Sequence, residues 1–169
     1  MHEPKIIKLN IFKDKRGSFK KLFDTELTSK IKINFKISQV NISSNKLKGT
    51  IRGMHGSFIK YKEAKLIYCL SGKICDVAIN YNKTNKFFLK KYYFKLDSKD
   101  EKLLFIPPGY LHGFQTLEKN TNLMYFHNVN YILKNEIGLN PLDEKLNIKW
   151  PIKITKISNK DLSLPNFSK

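Results

Sequence analysis

The strongest constraint on this fold is the rhythm of the apolar residues. They come in short runs that alternate or saturate, each closed by turn residues, and no helical period is sustained anywhere. Residues 35–42 (FKISQVNI) alternate apolar and polar side chains, as a half-buried strand does. The runs 66–70 and 74–79 flank Ser71-Gly72 and read as a hairpin between two buried strands. An aromatic-rich stretch over 86–96 precedes a polar turn at 97–101. Residues 103–106 run into Pro107-Pro108-Gly109, and further strands are expected over 113–117 and 123–127. Only 25–31 and 143–146 suggest helix, and both are short. Many short strands divided by turns predict an all-β fold, an antiparallel barrel or jelly roll with short peripheral helices. With no repeats, linkers or low-complexity segments, the chain reads as one domain over 1–169.

Charge narrows the class of partner. The formal charge is +18, yet of 32 basic residues only Arg16 and Arg52 are arginine, and each is followed by glycine. A guanidinium offers a rigid fork suited to phosphate or carboxylate, so arginine reserved for two such places suggests an anionic ligand. The lysines are spread from Lys5 to Lys169, with only short runs such as Lys90-Lys91 and no zinc-finger spacing. That distribution suits a solvated surface that draws anionic small molecules, rather than a face for nucleic acid. No apolar run approaches the roughly 18 residues of a membrane-spanning helix, and the first residues lack an apolar signal segment. A soluble, cytoplasmic protein without membrane or nucleic-acid partners is expected. Cys69 and Cys75 flank the Ser71-Gly72 turn, where a hairpin register pairs Cys69 with Ile74. Free thiols are therefore expected, with a disulfide as the alternative.

Several polar groups fall where they are costly. Gln39 and Asn41 share one strand face, opposite Val40 and Ile42. Lys65 stands in the apolar run 64–70, where an ammonium needs an anion or acceptor. Asp76, Ala78 and Asn80 share a face of the next strand. His55 follows Arg52-Gly53-Met54, and His112 follows a rigid Pro-Pro-Gly turn. Tyr125 lies in an apolar strand, with Tyr131 six residues on. A metal site would want about three converging ligands. His55 and His112 lack a His-x-His pair, and His127 would have to come from another strand, so no metal is expected.

These residues resemble the dTDP-4-dehydrorhamnose 3,5-epimerase family, nucleotide-sugar epimerases of cupin (jelly-roll) fold. The similarity runs in order along nearly the whole chain. It comprises Arg16-Gly17-Ser18-Phe19, 39–43 (QVNIS), 49–55 (GTIRGMH), Ala64-Lys65-Leu66, 72–78 and 105–114 (FIPPGYLHGF). It continues through Tyr125, Tyr131, 136–138 (EIG), 140–143 (NPLD), 148–151 (IKWP) and 158–161 (SNKD). The resemblance implies a cupin-type antiparallel jelly roll that epimerises carbons 3 and 5 of a nucleotide-linked 4-keto-6-deoxy sugar through an enolate.

It further implies His55 as base, Asp161 as the carboxylate that orients it, Tyr125 as acid on the opposite face, and Lys65 at the sugar. Arg16, Phe19, Gln39, Asn41, Arg52, His112, Tyr131, Glu136 and Lys160 match ligand-binding positions. No cofactor is implied. A homodimer is, because in such enzymes part of the nucleotide pocket comes from the neighbouring subunit. Three departures stand out: Gly56-Ser57 replaces an aromatic and a glutamine, Lys21 a glutamate, and Asn80 an acid. The alternatives are a single-centre epimerase, an epimerase of a differently activated sugar such as a GDP-linked 4-keto heptose, or a sugar-nucleotide-binding cupin without activity.

Overall fold

A computed structural model describes residues 2–32 and 34–168. In chain order the strands are β1 (Lys5–Lys8), β2 (Ile11–Asp14), β3 (Gly17–Lys20), β4 (Gln39–Asn45), β5 (Ile51–Ser57) and β6 (Lys65–Ser71). They continue with β7 (Lys73–Asn80), β8 (Lys91–Asp97), β9 (Lys102–Ile106), β10 (Tyr110–Thr116), β11 (Thr121–His127) and β12 (Glu136–Gly138). Two short α-helices, α1 (Thr25–Ile31) and α2 (Asn159–Leu162), accompany them.

One five-stranded sheet has the order β1-β9-β6-β11-β4 and the other β12-β5-β10-β7-β8, with every pairing antiparallel. The hairpin β2–β3 belongs to neither. This is the expected jelly roll, with small helices at the periphery. Between the sheets lie Ile67, Cys69, Ile74, Ala78, Leu104, Ile106, Phe114 and Leu123. The other face of the first sheet packs Leu66, Tyr68, Leu103 and Phe105 against Leu27 and Ile31 of α1. Each fully buried Leu, Ile or Phe among them stabilises the fold by about 1.5–3 kcal/mol. Helix α1 begins where Asp24 accepts the Leu27 N–H at 2.8 Å, and a Glu26–Lys30 pair spans its length.

The structure revises four of the expectations. Residues 66–70 and 74–79 form β6 and β7 but are not a hairpin: β6 pairs with β9 and β11, and β7 with β8 and β10. Gly72, at φ +75°, turns the chain from one sheet to the other, and a Cβ there would lie 2.3 Å from Thr121 Oγ1. Cys69 consequently faces Leu123 and Cys75 faces Gln115, and both thiols are free. Residues 143–146 form turns, because Asp143 accepts the Lys145 N–H at 2.8 Å in a local loop that competes with helix. Strand β4 starts at Gln39 rather than 35, Phe35 being drawn into the α1 core. Strand β8 starts at Lys91, after turns fastened by Asn82 and Asn85.

Candidate active site

The open ends of the two sheets enclose a cavity of about 710 Å³, within the range of ligand pockets. Of the residues singled out from sequence, His55, Tyr125, Asp161, Lys65, Asn41, Arg52, His112, Tyr131, Glu136 and Lys160 all line it. His55 projects from β5 in one sheet and Tyr125 from β11 in the other, so they stand on opposing walls.

The position of His55 is over-determined. On β5 it lies in register with His112 of β10, beyond a bulge at Gly53. A Cβ at Gly53 would meet the Gly113 Cα at 2.6 Å, so only glycine lets the two strands close here. The Gly53 amide donates to Asp161 Oδ2 at 3.3 Å, and Asp161 Oδ1 lies 2.8 Å from His55 Nε2. Asp161 is itself pinned: its N–H donates to Ser158 Oγ at 3.0 Å in the cap of α2. Burial pushes the Asp161 carboxyl upward. The His55 hydrogen bond and charge, with the two further hydrogen bonds, outweigh that and hold it below its ordinary range. With Nε2 committed to Asp161, His55 Nδ1 faces the cavity. Its nearest carboxylate oxygen, Glu136 Oε1, is 3.9 Å away, beyond hydrogen-bond range.

The opposing wall is drier. Burial pushes the Tyr125 phenol far above its ordinary pKa, with the Asp76 carboxylate adding to the rise and the Arg52 guanidinium opposing it. His112 lies with its ring centroid 6.2 Å from that of Tyr125, and its Nδ1 is 3.3 Å from Asp76 Oδ2. Burial, together with the nearby Lys65 ammonium, lowers the His112 pKa despite that carboxylate. Lys65 is 8% exposed; among the described residues its ammonium meets Glu63 Oε1 at 3.6 Å but donates no hydrogen bond. A buried ammonium with unused donors is poised for an incoming oxygen.

The mouth is polar. Tyr131 donates its hydroxyl to Glu136 Oε2 at 2.6 Å, and Lys160 Nζ lies 3.0 Å from the same oxygen. Arg52 is held by Asn45 Oδ1 at 2.8 Å and forms no ion pair among the described residues. Its charge is left for a ligand.

Known proteins resemble this chain in sequence and in fold. Residues 1–169 match the family described as dTDP-4-dehydrorhamnose 3,5-epimerase. The chain belongs to this family. It is 30% identical over 163 residues to the dTDP-4-dehydrorhamnose 3,5-epimerase of Shigella flexneri, covering 96% of this chain and 90% of the relative. The crystal structure of the Bacillus anthracis dTDP-4-dehydrorhamnose 3,5-epimerase with TDP and PPi bound superposes with a TM-score of 0.91. The two are 29% identical, with coverage of 97% of this chain and 94% of that one. ChmJ of Streptomyces bikiniensis, a 3'-monoepimerase in complex with dTDP-quinovose, gives a TM-score of 0.89 at 25% identity, covering 98% and 87%.

Three family-matched residues stand outside the cavity of a single chain. Gln39 sits behind its rim, accepting the Tyr131 N–H at 2.8 Å and donating to Asn41 Oδ1 at 3.1 Å. Arg16 and Phe19 ride on the β2–β3 hairpin, where Arg16 Nε and Nη2 donate to Asp14 Oδ2 of the same hairpin at 3.1 and 2.6 Å and the rest of the guanidinium is exposed. Of the departures from the family, only Gly56-Ser57 touches the cavity; Lys21 pairs with Asp24 and Asn80 caps the Asn82 turn.

Sequence reasoning passed over Glu63, noted Asp76 only as sharing a strand face, and weighed His127 only as a metal ligand. Ser57 donates to Glu63 Oε2 at 2.6 Å, and His127 Nδ1 lies 3.2 Å from Glu63 Oε1. The available signal was spacing. Glu63 and Lys65 are two apart at a strand entrance, which turns opposite charges to one side. No helix among the described residues is long and apolar enough to cross a membrane.

Proposed function

We infer that this chain epimerises carbons 3 and 5 of a nucleotide-linked 4-keto-6-deoxy sugar, as its family does. The observation that carries the reading is a histidine–carboxylate pair and a tyrosine on opposing walls of one cavity, with an unsatisfied ammonium alongside. The hydrogens flanking a ketone are acidic because the carbanion delocalises onto oxygen. Removal on one face and return on the other inverts the centre.

His55 is the base in this reading. Its Nε2–H points to Asp161, so the Nδ1 lone pair takes the proton, and Asp161 with Glu136 then surrounds the imidazolium with negative charge. Lys65 meets the ketone oxygen and strengthens its contact as that oxygen becomes an enolate. His112 is neutral and gives its Nδ1–H to Asp76, so its Nε2 accepts a sugar hydroxyl rather than polarising the ketone. Tyr125, held protonated by burial, donates to the enolate carbon from the opposite wall.

Arg52 takes the diphosphate, with Asn41, Tyr131, Glu136 and Lys160 forming the nucleotide side of the mouth and Gln39 bracing Asn41 and Tyr131 from behind. A homodimer completes it. Phe12 and Phe19 are 62% and 67% exposed on the β2–β3 hairpin, Val40 and Ile42 are exposed on edge strand β4, and Arg16 has no cavity to serve within its own chain. The hairpin of each subunit would carry Arg16 and Phe19 to the neighbour's pocket. Free thiols and a metabolite substrate fit a single cytoplasmic epimerase domain.

The test is solvent deuterium uptake at each sugar carbon, read by NMR, across dTDP-, GDP- and UDP-linked 4-keto sugars. Exchange at carbons 3 and 5 of the dTDP sugar is expected. Exchange at one carbon alone would assign the single-centre activity that ChmJ's name carries. No exchange with any of them would remove the function. Tyr125→Phe should slow inversion about 100-fold while leaving exchange on the His55 face measurable; unaffected inversion would mean that another group is the acid.

A further inference from the structure

At one end of the cavity the two sheets are fastened by side chains that the epimerisation steps do not use. Ser57, at the end of β5, donates to Glu63 Oε2 at 2.6 Å, and Glu63 leads into β6 of the opposite sheet. His127, which ends β11 in register with Lys65, approaches Glu63 Oε1 at 3.2 Å. All three line the cavity and are at most partly exposed. Burial drives the Glu63 carboxyl upward, but the His127 hydrogen bond, the Lys65 charge and the Ser57 hydroxyl outweigh it and leave its pKa at about 2. A charge so thoroughly supported inside a substrate cavity exceeds what joining two strands requires.

Building on the epimerase reading, we propose that Glu63 is a specificity-determining residue that accepts a hydrogen bond from the hydroxyl next to the substrate ketone, on carbon 3. Ser57 and His127 are positioning residues that aim it. The argument is one of reach and polarity. Lys65 Nζ and Glu63 Oε1 are 3.6 Å apart, close enough to count as a pair yet too far for a hydrogen bond that would use up either group. The two oxygens of an α-hydroxy ketone are nearer together than that, so a ketone oxygen on the ammonium brings its neighbouring hydroxyl to the carboxylate. An ionised carboxylate only accepts. It therefore welcomes a hydroxyl and rejects a carbonyl or a bare methylene in the same place, because its desolvated charge would then lose a partner. Lys65 reads the acceptor and Glu63 reads the donor. Together they select an α-hydroxy ketone.

The experiment compares deuterium exchange at carbon 5 in the parent 4-keto sugar nucleotide and in its 3-deoxy analogue. Carbon 5 remains in both, and the ratio of the two rates cancels any loss of folded enzyme. The native protein should prefer the parent by about 10- to 100-fold in kcat/KM, the worth of one hydrogen bond to a charged group. Glu63→Gln should cut that preference roughly tenfold, and Ser57→Ala, a milder change that keeps the fold, a few-fold. An undiminished preference in both variants, or none in the native protein, would overturn the proposal while leaving the epimerase reading intact. Failure of the native protein to exchange the parent sugar would instead remove the epimerase reading itself.

Discussion

Two histidine–carboxylate pairs stand side by side on β5 and β10, with His55 and His112 in register, yet they are prepared for opposite tasks. The Asp161 carboxylate receives hydrogen bonds from His55 and Gly53, and its own N–H is pinned to Ser158 Oγ, a setting that keeps it charged and ready to hold an imidazolium. Asp76 meets His112 through one oxygen only; its Oδ1 is buried without a hydrogen-bond partner among the described residues, and the ring it touches is driven toward the neutral form by burial and by Lys65. In the proposed reading the same two residue types thus give a base on one strand and a neutral acceptor on the next. Role is assigned by hydrogen bonds and desolvation, not by residue type.

The distinction can be broken by mutation. His55→Ala carries the largest expected effect, a loss of about 1,000-fold or more in exchange at both carbons, with affinity for the nucleoside diphosphate nearly unchanged by titration calorimetry. Retained turnover would move the base elsewhere, His112 being the first candidate. Next, Asp161→Asn should cost about 100-fold in kcat and Asp76→Asn about tenfold or less, with the Asp76→Asn loss divided between kcat and KM. Equal losses would erase the difference between the two pairs.

A further effect concerns the third pair, His127–Glu63, and appears in stability rather than in turnover. The Glu63 carboxyl sits at about 2, against 4.5 for an unperturbed glutamate. A carboxyl lowered in the folded state stabilises above the unfolded pKa, and that contribution fades as the pH falls toward the folded one. Glu63→Gln should therefore be about 2–3 kcal/mol less stable than the native protein near neutrality. The gap should close as the pH drops from 4.5 to about 2, as read by denaturant unfolding at a series of pH values. A pH-independent gap would mean that packing, not charge, is what Glu63 supplies.

The pattern of apolar runs made β9, β10 and β11 legible, because each is bounded by turn residues and buried on at least one face. It misassigned the partnership of β6 and β7. Periodicity records which side chains face inward but not which sheet a strand joins, and a single glycine corner looks the same in a hairpin as in a crossing between sheets. In the site, Lys65 was legible as a charge stranded among apolar residues, and Arg52 as one of two arginines. Asp161 was reached only through family resemblance, since it lies 106 residues from His55 and nothing local announces their meeting. Glu63 and His127 lie 64 residues apart and were missed for the same reason. Asp76 was noticed as sharing a strand face, but its partnership with His112 depends on the register of β7 against β10.

The detached β2–β3 hairpin has a genetic corollary. If each subunit's hairpin furnishes its neighbour's pocket, Arg16→Ala and His55→Ala damage different halves of the same composite centre. Unfolding the two crippled homodimers together and refolding the mixture would then create hybrids with one intact centre each, so two inactive preparations would restore turnover to one another.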